Sequence, residues 1–361
     1  MIFKNIRFDL VSTFFIAALL NISAVHSQPY TEDVSPTARL NVAQNYLRPK
    51  GLKDEHYREE VLEAVKLIDE VRNQFPIDRI QNEISIRAQL LSAESQSTLG
   101  NHQIAMNLLS DLLRVDGKNF LGLVERAHER IEINQITEAE DDLSYALKVL
   151  LERWSEHFTE RGIQNGNSKI KEDDFLDQKS HAFQNLETVR ELTDRASQES
   201  NWIRLAEYDK EFPDQIRSLV LNLNMLGKIY LSADVDKLTS REIIGEQILE
   251  SAMKILEKHY HDTTATQNLA ELMPPFVIYR SFAIRIIDKL NDKIRRYSLY
   301  LDRLKAEKNP AAAETEVIVN NNIELRKKLL KKVKQNDDRL DKLIEQWRAL
   351  REKNTSAHSI Q

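Results

Sequence analysis

Few side chains in this sequence stand at spacings that perform chemistry. His259 and His261 form the closest histidine pair, with Asp262 beside them, a set of the kind that ligates metals. They fall at the C-terminal end of a predicted helix, where histidine also complements the helix dipole, and that structural role accounts for them. Glu125-x-x-His128 has the spacing of one half of a di-iron carboxylate site, but the sequence holds no second Glu-x-x-His and no His-Glu-x-x-His. Ser251-x-x-Lys254 matches a serine–lysine pattern that arises often by chance, and a Gly-x-Ser-x-Gly elbow is missing. The carboxylate pairs Glu59-Glu60, Asp141-Asp142, Asp173-Asp174 and Asp337-Asp338 are immediate neighbours. Neighbours on a helix point about 100° apart, so such pairs do not face one another as an acid and a base must. With no Cys there is no thiolate nucleophile, thiolate metal site or disulfide. The eight Gly never reach phosphate-loop spacing. The expectation is a protein that is not an enzyme and binds no cofactor or metal.

One charged stretch carries more information. Residues 324–334 hold six Lys or Arg against one Glu, among them Lys327, Lys328, Lys331 and Lys332. Over 324–353 the balance is 11 basic to 6 acidic, while the whole chain is −6. A basic face on an acidic body suits an anionic partner: lipid head groups, an acidic protein or a cell-wall polymer. The same residues also serve as a solvated face, or as neutralising charge for the acidic body of their own molecule. Moderate overall acidity gives no support to nucleic-acid binding.

The elements that carry these residues are helices. Of 361 residues, 41% are hydrophobic and 30% charged, and Gly and Pro are scarce. Apolar residues recur at helical period after residue 36, and period-2 runs rich in Val, Ile and Thr are missing. The pattern predicts helices near 36–47, 54–75, 79–98, 102–114, 119–132, 136–156, 174–208, 214–232, 240–260, 275–307 and 314–352. The polar piece 161–174, with Gly162 and Gly166, reads as a loop or hinge. The fold class is all-α.

Two consecutive segments, 86–119 and 120–153, are self-similar at a period of 34 residues. Aligned without gaps, Ala93 matches Ala127, Gly100 matches Asn134, Ala105 matches Ala139 and Leu109 matches Leu143, while Leu112 falls opposite Ala146. Gly100 and Asn134 stand where a helix must end, because both tolerate the left-handed conformation. The alanines allow two helices to approach closely. This pattern resembles the tetratricopeptide repeat, a 34-residue helix–turn–helix unit with small residues at fixed offsets. A weaker match is Leu226, Gly227 and Tyr230, followed by Gly245, Leu249 and Ala252. Another uses Ala43, Tyr46, Ala64, Ile68, Val71 and Pro76. The resemblance covers two good units and two degenerate ones, and lacks the family's first-helix Trp, most of its Tyr and the Pro closing the central units.

That resemblance implies a helical-repeat solenoid whose ligands lie on a concave surface lined by the first helix of each unit. By offset, the groove residues are Arg87, Leu90, Glu94, Leu121, Val124, His128, Ile131 and Glu132. The family's carboxylate clamp, Lys and Asn at the fifth and ninth offsets, is replaced by Leu90 and Glu94, then by Val124 and His128. The implied partner is a protein or peptide with apolar anchors. In the alternative reading the same residues pack against neighbouring helices.

At the C-terminal end, Phe276, Tyr279, Ala283, Ile286, Leu290, Ile294, Tyr297, Leu301 and Leu304 form one apolar stripe. Asn309-Pro310 breaks the chain, and a second stripe follows through Ile323, Leu330 and Ile344 and through Val333, Leu340 and Trp347. Two long amphipathic helices across a short break predict an antiparallel, coiled-coil-like hairpin, with Arg326 and Asp337 interrupting its seam.

At the other end, Lys4 and Arg7 precede an apolar run from Leu10 to Leu20, and Val25-His26-Ser27 offers a cleavage site. This is the layout of a secretory signal peptide, with an uncleaved anchor as the alternative. Export without Cys suits a bacterial periplasm. The expected organisation is a signal at 1–27, repeats at 28–160, the hinge at 161–174, and a helical region with a degenerate unit at 175–262. The hairpin occupies 275–352, and a flexible tail 353–361. The expected function is a non-enzymatic periplasmic or secreted scaffold. An accessory subunit of an envelope export or cell-wall assembly complex is the first alternative, and a helical hydrolase acting on glycans the second.

Overall fold

The computed structural model describes residues 35–47, 56–80, 82–160, 181–197, 212–231, 240–259 and 273–358. The expected signal segment, the 161–174 loop, His261 and residues 359–361 lie outside them. The fold is all-α: eleven helices and no strand among the described residues. They are α1 (Pro36–Leu47), α2 (Tyr57–Gln74), α3 (Glu83–Thr98), α4 (His102–Val115), α5 (Phe120–Glu132) and α6 (Ile136–Glu160), then α7 (His181–Ser197), α8 (Phe212–Leu231), α9 (Ser240–His259), α10 (Pro274–Ala306) and α11 (Ala312–His358). Contacts divide the chain into two compact units, 1–226 and 227–361.

Local chemistry sets the helix ends. Expected from 79, α3 starts at Glu83, because Arg79 and Ile80 donate their amides back to the Pro76 carbonyl in a turn. Asn82 then caps the helix: its side chain accepts from the Ser85 amide at 2.9 Å, and the Ser85 hydroxyl oxygen accepts from the Asn82 amide at 3.0 Å. Asn119 caps α5 by accepting from the Gly122 amide at 2.8 Å. Gly100 and Asn134 end α3 and α5 in the left-handed region, with φ of 80° and 63°. Each closes a Schellman turn. Asn101 donates to the Gln96 carbonyl at 2.8 Å, and Gln135 donates to the Arg130 carbonyl at 2.7 Å. Lys308, with φ of 53°, ends α10 in the same way before Pro310.

In the first unit, α1 to α7 pack in chain order, each against the next, and α1 also touches α3. One cluster joins Leu40, Ala43 and Leu47 to Val61, Ala64, Ile68 and Val71 and to Ala88 and Leu91. Ala93, Ala105 and Leu109 form the adjoining cluster between α3 and α4. Every matched position of the two 34-residue segments that carries Ala or Leu is buried, from Ala93 and Ala127 to Leu109 and Leu143. Polar links cross between helices. Arg126 grips Asp142 through two nitrogens at 2.9 and 2.6 Å, and Arg130 reaches the same carboxylate at 2.6 Å. Trp154 is fully buried, and its indole N–H donates to Gln215 Oε1 at 2.8 Å.

In the second unit, Gly227 leaves room for Leu249: a Cβ there would lie 2.5 Å from Leu249 Cδ2. At Gly245 a Cβ would lie 2.9 Å from that of Tyr230. α9 packs on α10, and α10 packs along α11. Polar contacts step away from the Asn309-Pro310 break: Lys305 to Glu316 at 3.1 Å, Arg326 to Asn291 at 3.1 Å, and Arg280 to Asp337 at 3.2 Å. Farthest out, Asn336 donates to the Phe276 carbonyl at 3.1 Å. α11 continues to His358, past the boundary expected at 352.

Candidate functional site

The first unit contains a cleft of about 510 Å³. Its floor is apolar: Ile86, Leu90 and Leu91 from α3, Phe120 and Leu121 from α5, and Val149 and Leu150 from α6. Gln215 and Ser218 of α8 complete it. The caps of α3 and α5 bear directly on this floor, because they fix where each helix begins and so which face it turns inward.

The rim is charged and of mixed sign. Lys118 pairs with Glu152 at 2.8 Å between two exposed side chains, a contact of the weak surface kind. Arg87 differs. Its Nη2 donates to Asn41 Oδ1 at 2.6 Å and to Gln44 Oε1 at 2.9 Å, both neutral amides. Half-buried, it forms no ion pair among the described residues, and burial lowers its pKa. The cleft therefore presents an apolar floor beside a cation that hydrogen-bonds only neutral amides among the described residues, with the Glu83 carboxylate near enough to favour its charged form.

Of the residues expected in the groove, Arg87, Leu90 and Leu121 line this cleft, and Glu94, Val124, His128, Ile131 and Glu132 do not. Val124 is buried, His128 and Ile131 are half-buried and Glu132 is exposed. Glu94 is only 7% exposed, and its Oε2 has no hydrogen-bond partner among the described residues. Burial, reinforced by the nearby Glu125 carboxylate, holds the Glu94 carboxyl well above its ordinary pKa. Glu125 is itself pushed up to about 8 by burial and by Glu129. Glu129 is buried against His102, whose Nδ1 lies 2.9 Å from Glu129 Oε2. This acidic layer belongs to the packing of α3, α4 and α5.

Sequence reasoning missed Phe120, Val149, Leu150, Gln215 and Ser218 as cleft residues. The apolar spacing of α6 that continues to Trp154 was the available signal for Val149 and Leu150, and the position of Phe120 directly after the Asn119 cap was the signal for that residue. Nothing local marks Gln215 or Ser218, which arrive from a distant helix.

The four lysines singled out on α11 are all exposed. Lys327 pairs with Glu324 at 2.8 Å, and Lys332 pairs with Glu246 of α9. Lys328 and Lys331 make no ion pair among the described residues. Among those residues, too, no three of His, Asp and Glu converge as metal ligands, and no helix is long and apolar enough to cross a membrane. Comparison of the chain with protein-family models, curated proteins and solved structures finds no match.

Proposed function

We propose that this chain is a non-enzymatic scaffold, exported to the bacterial periplasm, that docks a protein or peptide in the cleft formed by α3, α5, α6 and α8. In this reading α1 to α6 stack as tetratricopeptide-like helix pairs. The last two helices fold back as an antiparallel hairpin and provide a second docking surface. The observation that carries the proposal is the cleft itself: an apolar floor with Arg87 at its wall, hydrogen-bonded to Asn41 and Gln44 and without an ion pair among the described residues. Apolar anchors of an incoming segment would cover Leu90, Phe120 and Leu121, and a carboxylate would complement Arg87. The stacking is supported by the shared turn geometry at Gly100 and Asn134 and by burial of the matched alanines. The hairpin is supported by the stepped contacts from Lys305–Glu316 to Arg280–Asp337. Against glycan hydrolysis, the two carboxyls with raised pKa, Glu94 and Glu125, line no part of the cleft.

The basic surface of α11, with Lys328 and Lys331 exposed and unpaired, favours the accessory-subunit reading, in which one fixed anionic partner holds the protein at an envelope assembly. The test of the main proposal is selection of binding peptides on the purified chain, followed by Leu90→Glu with Leu121→Glu. Binding by selected peptides should be lost while helicity is kept. Unchanged binding in that double variant removes the cleft as the site.

A further inference from the structure

We infer that the α10–α11 pair carries a second helix-docking groove beyond the end of α9, and that its occupant is an amphipathic helix with an acidic edge, supplied by a partner protein. The inference deepens the docking role proposed above for these two helices and rests on that reading.

Two heptad positions define the groove. Tyr279, Ile286, Lys293 and Tyr300 follow one another at steps of seven on α10, and Ile318, Leu325, Lys332 and Arg339 do so on α11. Residues at that step share a helix edge. Arg280 meets Asp337 and Asn291 meets Arg326, which sets the level of one helix against the other to within about one turn, with level pairs near a sum of 617. Tyr279 with Arg339, Ile286 with Lys332, Lys293 with Leu325 and Tyr300 with Ile318 each sum to 618. The two positions therefore face each other as four successive rungs of one groove.

α9 occupies the first two rungs. Its carboxylates meet the cations of α11: Arg339 bonds Glu257 at 2.6 and 2.9 Å and Glu250 at 2.9 Å, and Lys332 pairs with Glu246. Glu246, Glu250 and Glu257 lie on one edge of α9, within about 40° at helical spacing. Beside that edge Leu249 and Met253 are buried, Leu249 against Gly227 of α8. Under α9, Tyr279 and Ile286 are 6% and 5% exposed.

Beyond α9 no described residue pairs with the cations of the groove. Tyr300 is 49% exposed and Ile318 is 38% exposed. Arg296 and Lys328 flank these rungs and Lys293 stands in the first of them, all three exposed and without an ion pair among the described residues. Residues 293–331 hold ten Lys or Arg against five Asp or Glu, a net +5. The open half thus repeats the chemistry of the filled half: apolar rungs between helices, with cations on the banks. A rod with an apolar face and an acidic edge fits it as α9 fits its own half.

The test uses the full chain and, as probe, a labelled peptide with the sequence of residues 240–259, read by fluorescence anisotropy. Saturable binding is expected, weakened about tenfold by Lys293→Glu with Arg296→Glu. It should weaken similarly with Tyr300→Asp and stay unchanged with Ile104→Glu, an exposed position of α4 outside the first-unit cleft. Exposed positions leave folding intact, which circular dichroism checks. No binding, or binding indifferent to the α10 variants, overturns the inference. So does sedimentation of the chain with phosphatidylglycerol vesicles in the absence of peptide binding, which assigns the surface to lipid instead. Should the peptide fail while selected peptides still occupy the Leu90–Leu121 cleft, the scaffold reading stands and only this groove falls.

Discussion

Gly100 and Asn134, 34 residues apart, hold the same left-handed backbone, with φ of 80° and 63°, at the ends of α3 and α5. The two side chains differ, yet each residue closes the same pair of hydrogen bonds to the preceding helix. For a residue with a Cβ this conformation costs about 1–2 kcal/mol, with Asn among the least penalised and Gly exempt. Gly100→Ala should therefore destabilise the first unit by about 1–2 kcal/mol, whereas Asn134→Gly should be neutral or slightly stabilising. Equilibrium urea unfolding of both variants measures the difference. Equal losses at both positions would show that the two turns are not equivalent.

Close helix approach yields the next expectation. Ala105 and Ala139 are both 0% exposed, one on α4 and one on α6, at matched positions. Ala139→Leu or Ala105→Phe should overpack its helix pair and cost about 1–3 kcal/mol. A thermal melt that moves by less than a degree in both variants contradicts that tight packing.

Gly227 makes the same point in the second unit. A Cβ there would approach Leu249 to 2.5 Å, so Gly227→Ala should destabilise by about 1–3 kcal/mol. Leu249→Ala supplies space, and the double variant should lose less than the sum of the single ones. Strict additivity in that cycle would mean that the two residues do not meet.

pH dependence follows from the acidic layer between α3 and α5. Glu125 is raised from 4.5 to about 8, and Glu94 is raised as well, so both favour the protonated form when folded. For a carboxyl with raised pKa, the associated stability is fully present below the unfolded pKa and is lost as pH climbs through the folded one. Stability should then decline between about pH 5 and 8, and Glu125→Gln should flatten the decline. Calorimetry across that window decides it, and a slope unchanged by the substitution removes Glu125 as the source.

These relationships also show what was legible beforehand. The helices from 83 to 132 and the break between α10 and α11 could be placed within about four residues because Gly100, Asn134 and Asn309-Pro310 punctuate a steady apolar period, whereas the helix expected at 174–208 is described only over 181–197 and α11 runs to 358 instead of 352. The alanine spacing identified buried positions in both segments for the same reason. The cleft was only partly legible. Arg87, Leu90 and Leu121 were found by offset, but Glu94, counted on the same face, is turned inside. A four-residue step rotates about 40° around a helix, enough to move a side chain from groove to packing layer. Gln215 and Ser218 come from α8, far along the chain, and no local pattern announces a contact of that separation. The pairing of Lys332 with Glu246 was equally hidden, because charge runs reveal sign and not partner.

The central claim is that the α3–α5–α6–α8 cleft is where this protein meets its partner. Its most direct test is a photo-crosslinking side chain placed at Leu121, on the cleft floor, and separately at Ile104, an exposed apolar residue of α4 outside the cleft. The account predicts one discrete adduct in the native cell from position 121, lost when Leu90→Glu is added, and none from position 104. Adducts of equal yield from both positions, or none from position 121, would contradict it.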